Sequence, residues 1–146
     1  MSTTCKNGKL NGARLADWPE RLSCFIQEHK DSPFNWGALD CGRFCVKAEL
    51  AIYGETRWED VLSDTSTKRK AYKPIKANGC SSLWELVSTR MDQLDSPLLA
   101  QRGDWVGHYV DGEQALGVVF DSKIACIGPD GIQFKPMSDA MIGWKV

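Results

Sequence analysis

The stretch Trp105-Val106-Gly107-His108-Tyr109-Val110-Asp111-Gly112-Glu113-Gln114-Ala115-Leu116-Gly117-Val118-Val119-Phe120 decides the fold. Two runs rich in β-branched and aromatic residues flank Asp111-Gly112. That pair suits a two-residue hairpin, whose central positions need positive φ. The runs are predicted strands over about 104–110 and 114–120. Further short runs follow at about 123–127, 131–135 and 141–146, with Pro129-Asp130-Gly131 as a second turn. Short connections favour antiparallel neighbours. The C-terminal part therefore reads as an antiparallel meander of about five strands.

Upstream the period changes from two to that of a helix. Asp17 reads as an N-cap with Pro19 in the first turn, and Trp18, Leu22, Phe25, Ile26 and His29 form one apolar stripe over about 17–30. Pro33 stops that helix. Asp40 caps a second helix over about 41–53, closed by Gly54 and buried through Cys41, Phe44, Cys45, Ala48 and Ile52. Residues 55–78 are polar and helix-prone, and the run Lys68-Arg69-Lys70 reads as a solvated helix face. Ser82-Leu83-Trp84-Glu85 is a capping box that opens a helix to about Met91. Each helix has a single apolar stripe, so the helices are expected on one face of the sheet. The result is an α+β fold with N-terminal helices on a C-terminal sheet. Residues 1–16 carry little apolar periodicity and read as a flexible arm, leaving 17–146 as one domain.

The 146 residues are 42% hydrophobic and 25% charged, with a formal net charge of −1. These values suit one globular domain and exclude disordered, collagen-like and coiled-coil chains. A near-neutral charge is not the basic field of a nucleic-acid binder. No apolar run reaches the roughly 18 residues that a membrane span needs. The N-terminal Met1–Gly12 stretch lacks the apolar centre of a signal peptide, so free thiols are expected rather than a disulfide framework.

Six cysteines stand against two histidines, and no C-x-x-C pair occurs. Cys41 and Cys45, four apart on a helix, would need two distant partners to hold a metal, so no metal site or cofactor is assigned. A structural metal or iron–sulfur role for the cysteines is the remaining alternative in that class. Cys24, Cys45, Cys80 and Cys126 read as small buried side chains. Cys41 differs, because it occupies the first turn of a helix. There the free N–H groups and the dipole favour a thiolate and offer an oxyanion site. Plain packing under the sheet is the competing reading. Phe34 and Trp36, on the loop before it, and the adjoining Asp40 are the candidate substrate-binding residues.

At this point a family resemblance emerges. Pro33-Phe34-Asn35-Trp36-Gly37-Ala38-Leu39-Asp40-Cys41-Gly42-Arg43-Phe44 resembles the nucleophile segment of the NlpC-type cell-wall peptidases, which are papain-like enzymes. Arg102-Gly103-Asp104-Trp105-Val106 resembles the motif that opens their sheet. Ala115-Leu116-Gly117-Val118-Val119 resembles their His-Val-Gly-Ile-Tyr strand. Asp17-Trp18-Pro19-Glu20-Arg21-Leu22, Gly128-Pro129-Asp130-Gly131 and Trp144-Lys145-Val146 are similar to a phage-associated branch of that superfamily, encoded in tail modules.

The resemblance implies a papain-like fold with Cys41 at the nucleophile position. It also puts Ala115 where the basic histidine stands, and a position near Cys126 and Ile127 where its orienting residue stands. Alanine cannot take a proton, and general-base help is worth about 10²- to 10⁴-fold. The expected protein is a catalytically impaired tail-tip component, made in the host cytoplasm and assembled into the virion tail. Its expected partners are hub, distal-tail or baseplate proteins, with neither nucleic acid nor a membrane span involved. The alternative is an active peptidoglycan peptidase or amidase in which His108, on the neighbouring strand, replaces the missing base. His29 reads as a packed or rim histidine.

Overall fold

The computed structural model describes residues 12–36, 38–62 and 67–146. Five helices come first: α1 (Trp18–Glu28), α2 (Cys41–Tyr53), α3 (Lys68–Ala71), α4 (Lys73–Ala77) and α5 (Leu83–Ser88). Six strands follow: β1 (Asp92–Gln93), β2 (Trp105–Val110), β3 (Glu113–Phe120), β4 (Lys123–Gly128), β5 (Gly131–Pro136) and β6 (Ile142–Lys145). The α+β expectation holds, with one more strand than predicted.

α2 starts and stops where its sequence says. The Asp40 carboxylate accepts from Arg43 N–H at 2.9 Å, and Gly54 closes the helix with φ +73°. α1 begins at Trp18 with Pro19 in its first turn, but the Asp17 side chain makes no cap bond. The capping box of α5 forms in modified shape. Ser82 Oγ accepts from Glu85 N–H, while the Glu85 carboxylate reaches back to Ser81 N–H and Oγ. α3 and α4 are single turns in the polar stretch, with Lys68, Arg69 and Lys70 all exposed.

All pairings in the sheet are antiparallel, in the order β1-β6-β2-β3-β4-β5. β2 to β5 form the expected meander, and Asp111 (φ 51°) and Gly112 (φ +79°) make its first hairpin in the positive-φ geometry. β6 leaves the meander and pairs with β2, which sets Trp144 opposite Trp105, both almost fully buried. The short β1 was not foreseen. It extends the sheet by two exposed residues beside β6.

Alternation along the strands sorts the side chains onto two faces. Trp105, Leu116, Val118, Ala125, Ile127 and Trp144 belong to the main core with α1, α2 and α5. Gly107 lies on this face because Trp84 of α5 covers it: an added Cβ would come within 2.5 Å of the indole. Val106, Val119, Ile124 and Ala140 form a second, smaller core on the other face. The helices cover one face, as expected, and the turn around Met137 and the segment at Ala100 shield the other.

The expected arm divides. Residues 1–11 lie outside the described residues, whereas 12–16 are held by the domain. Leu15 N–H donates to Ile52 C=O at 2.8 Å. Arg14 donates to Val146 C=O at 2.9 Å and stacks on Trp18 at 4.5 Å.

One irregularity positions the site. β2 and β3 stay paired out to Glu113, and β4 and β5 out to Gly128. Between them, β3 and β4 pair only over Val118–Phe120 and Lys123–Ala125. The two strands splay beyond that point, and residues from both faces of the sheet can line the gap.

Candidate functional site at the start of α2

A cavity of about 450 Å³ opens at the splay. Ala115 and Leu116 of β3, Cys126 of β4 and Cys41 at the start of α2 meet there. The three positions that the resemblance assigned to a triad thus share one cavity. Phe34 and Trp36 form its wall in a T-shaped pair with centroids 4.7 Å apart. Tyr72 continues the wall, 5.8 Å from Trp36. It was missed in the sequence, where it is a lone aromatic in a polar stretch with no periodicity to mark it.

Cys41 does not have the thiolate character expected of a helix start. Its thiol is pushed up to about 11, above all by burial, with the Asp40 carboxylate adding to the effect. Hydrogen bonding from the main chain of Leu116, Gly42 and Cys41 itself pulls the other way and loses. The physical reason is that desolvation of a buried anion outweighs a few main-chain donors. At neutral pH Cys41 is a thiol.

Asp40 is occupied by the helix it caps. One carboxylate oxygen takes Arg43 N–H and the other takes the Arg43 guanidinium at 2.8 Å, in a pair that is buried on both sides. Its carboxylate holds the helix start in place, and Asp40 also lines a smaller pocket beside Cys41, Trp36 and Tyr72.

His108 sits on β2 directly opposite Ala115 and is 1% exposed. It lines the same cavity as Cys41, but no hydrogen bond joins the two. Nδ1 lies 3.5 Å from Lys135 Nζ, and Nε2 has no partner. Burial and then the Lys135 charge push its pKa down, against the main chain of Leu116 and Tyr109 and the charge of Asp139. The ring is neutral at pH 7. Cys126 donates to Gln133 C=O at 3.6 Å, and burial raises its pKa.

The other cysteines and the second histidine are distributed unevenly. Cys45 and Cys126 are buried, as expected. Cys24 is exposed and Cys80 half-buried, which corrects the packing expectation for those two. His29 packs its ring on Phe25 at 4.9 Å, at the rim of the α1 face. Among the described residues no group of three or more His, Cys, Asp or Glu side chains is placed to hold a metal ion, and no helix is long and apolar enough to cross a membrane.

Residues 13–146 match the family model described as Domain of unknown function (DUF6950), and the chain belongs to that family. No curated protein matches the chain, and no solved structure does.

Proposed function

We propose that this DUF6950 domain is an NlpC-type, papain-like peptidase scaffold whose site has fallen silent, and that it works through protein contacts as a structural part of a phage tail tip. One observation carries the silence. The cavity that gathers Cys41, Ala115 and Cys126 brings no imidazole into hydrogen-bond contact with the Cys41 thiol. A cysteine enzyme needs a thiolate and a base within reach. Here burial keeps the proton on sulfur. The order of helices and then antiparallel strands supports the scaffold reading, and the tail setting rests on the sequence resemblance.

A contact role also has surface to work with. Leu98 and Leu99, on the turn Pro97–Leu99, and Met141, just before β6, are each more than half exposed. The turn packs beside β6. Partners on this reading are hub, distal-tail or baseplate proteins, and the protein ends up in the virion tail after synthesis in the host cytoplasm. Mass spectrometry of purified particles of the encoding phage tests it. Stoichiometric protein in tails supports the reading, and absence from particles overturns it.

The second reading is an active peptidoglycan peptidase or amidase with Cys41 as nucleophile and His108 as base. A specific observation favours it: both side chains line one cavity and both interact with the main chain of Leu116. Catalytic hydrogen bonds can tighten only when substrate arrives. Muropeptide digestion that is lost in both Cys41→Ala and His108→Ala would establish this reading in place of the first.

A further inference from the structure

Three aromatic rings from two separate segments line the cavity beside Cys41. Phe34 and Trp36 come from the loop before α2, and Tyr72 joins α3 to α4. The planes of Phe34 and Trp36 stand at 87° with centroids 4.7 Å apart, and those of Trp36 and Tyr72 at 67° and 5.8 Å. All three residues are half-buried, so each keeps accessible surface. Steep angles between neighbouring rings make a corner of walls rather than a flat stack. Negative charge gathers at the same place. Burial first, then the charges of Cys41 when ionised, Glu113 and Asp40, push the Tyr72 hydroxyl up to about 12. Among the described residues that line the cavity, Asp111 and Glu113 are acidic, while the cation of Lys135 is held against His108 of β2 at 3.5 Å.

We propose that the corner of Phe34, Trp36 and Tyr72 binds a quaternary ammonium group. The negative face of an aromatic ring attracts a cation, and cages of several rings hold quaternary ammonium ligands in this way. The two carboxylates that act on Tyr72 already have cationic partners: Lys68 binds Glu113, and Arg43 binds Asp40. A primary ammonium would give up its hydration here and still need acceptors for three N–H groups. A quaternary ammonium has no N–H to satisfy, and its methyl groups pack on the apolar ring surface. The cavity of about 450 Å³ has room for such a group and for the chain that carries it. The Cys41 thiol takes no part, so the inference rests on neither functional reading above.

Choline is the probe, titrated at pH 7 into the full chain labelled with ¹⁵N and followed through the indole N–H of Trp36. The expected result is a saturable shift with a millimolar Kd. 3,3-Dimethyl-1-butanol, equal in shape and uncharged, should bind at least tenfold more weakly, and so should ethanolamine, which keeps the charge but carries N–H groups. Tyr72 lies on a half-buried turn, so its variants leave the core intact. Tyr72→Leu, which removes a ring face, should weaken choline binding at least fivefold, while Tyr72→Phe, which keeps the face, should hold it within about threefold. No choline shift, equal affinity for the uncharged isostere or for ethanolamine, undiminished binding by Tyr72→Leu, or loss of binding in Tyr72→Phe would each overturn the proposal.

Discussion

Cys41 and His108 line the same cavity and interact with the main chain of the same residue, Leu116, yet they share no hydrogen bond. The separation has a direct chemical consequence. With its pKa at about 11, the Cys41 thiol is ionised at pH 7 to only about 10⁻⁴. Alkylation by iodoacetamide, followed by peptide mapping, should modify the exposed Cys24 well before Cys41. The Cys41 rate should rise about tenfold per pH unit towards pH 11 without a plateau near neutrality. A plateau between pH 6 and 8 would mean an active Cys–His pair, and the silent reading would fail.

His108 makes acid stability the second test. Its folded pKa lies below the unfolded value of about 6.5, so the unfolded chain binds more protons in the window just under that value. The stability from its neutral ring is fully present above pH 6.5 and is lost as pH falls through the folded pKa. Urea midpoints measured between pH 7.5 and 5.5 should therefore fall. His108→Gln, which cannot titrate, should show a flatter profile over the same window. Parallel profiles would mean that other groups carry the effect.

The helix that carries Cys41 is pinned from its middle by Glu49, which is fully buried. Its carboxylate takes Thr56 Oγ1–H at 2.7 Å, Arg57 N–H at 3.1 Å and Arg57 Nε–H at 2.9 Å. Arg57→Ala removes the countercharge and leaves a buried anion, at a cost of about 3–5 kcal/mol. That is a large share of the roughly 5–15 kcal/mol that holds a typical domain together. Glu49→Gln, which keeps shape and removes the charge, should cost clearly less. Urea unfolding of the two variants checks the order, and a reversed order would refute this account of the pair.

These positions also show what the sequence could reveal. The Asp40 cap, the Gly54 stop and the Asp111-Gly112 hairpin are local devices, so their residues announce them. The exposure of Cys24 was legible too, since it falls between the stripe positions Leu22, Phe25 and Ile26. β1 was hidden because Asp92 and Gln93 are exposed polar residues, and only β6 makes them a strand. The state of Cys41 was hidden for another reason. A helix start argues for a thiolate, while burial and the Asp40 carboxylate argue against one, and only the packed structure shows which wins. The contact of His108 with Lys135 joins β2 to β5 across two intervening strands, a distance no local pattern encodes.

The last prediction asks whether the missing base can be returned. Ala115 and Cys41 both line the cavity, and the sequence resemblance assigns position 115 to the histidine of the enzymes. His108 faces it across the β2–β3 pair, so adding a second ring there would crowd the first. The combined change Ala115→His with His108→Ala moves one imidazole between facing positions and keeps the total side-chain volume, which cores tolerate best. An imidazole in reach of the sulfur can take its proton and stabilise the thiolate as an ion pair, which burial alone prevents. Cys41 alkylation at pH 7 should then rise at least tenfold over the parent, with the inflection moving from about 11 towards neutrality. His108→Ala alone, which opens space but brings no base to position 115, should leave the inflection high. If the double variant keeps the parent profile while remaining folded by circular dichroism, then Ala115 does not occupy the place of the base, and the mapping of this site onto the peptidase triad is wrong.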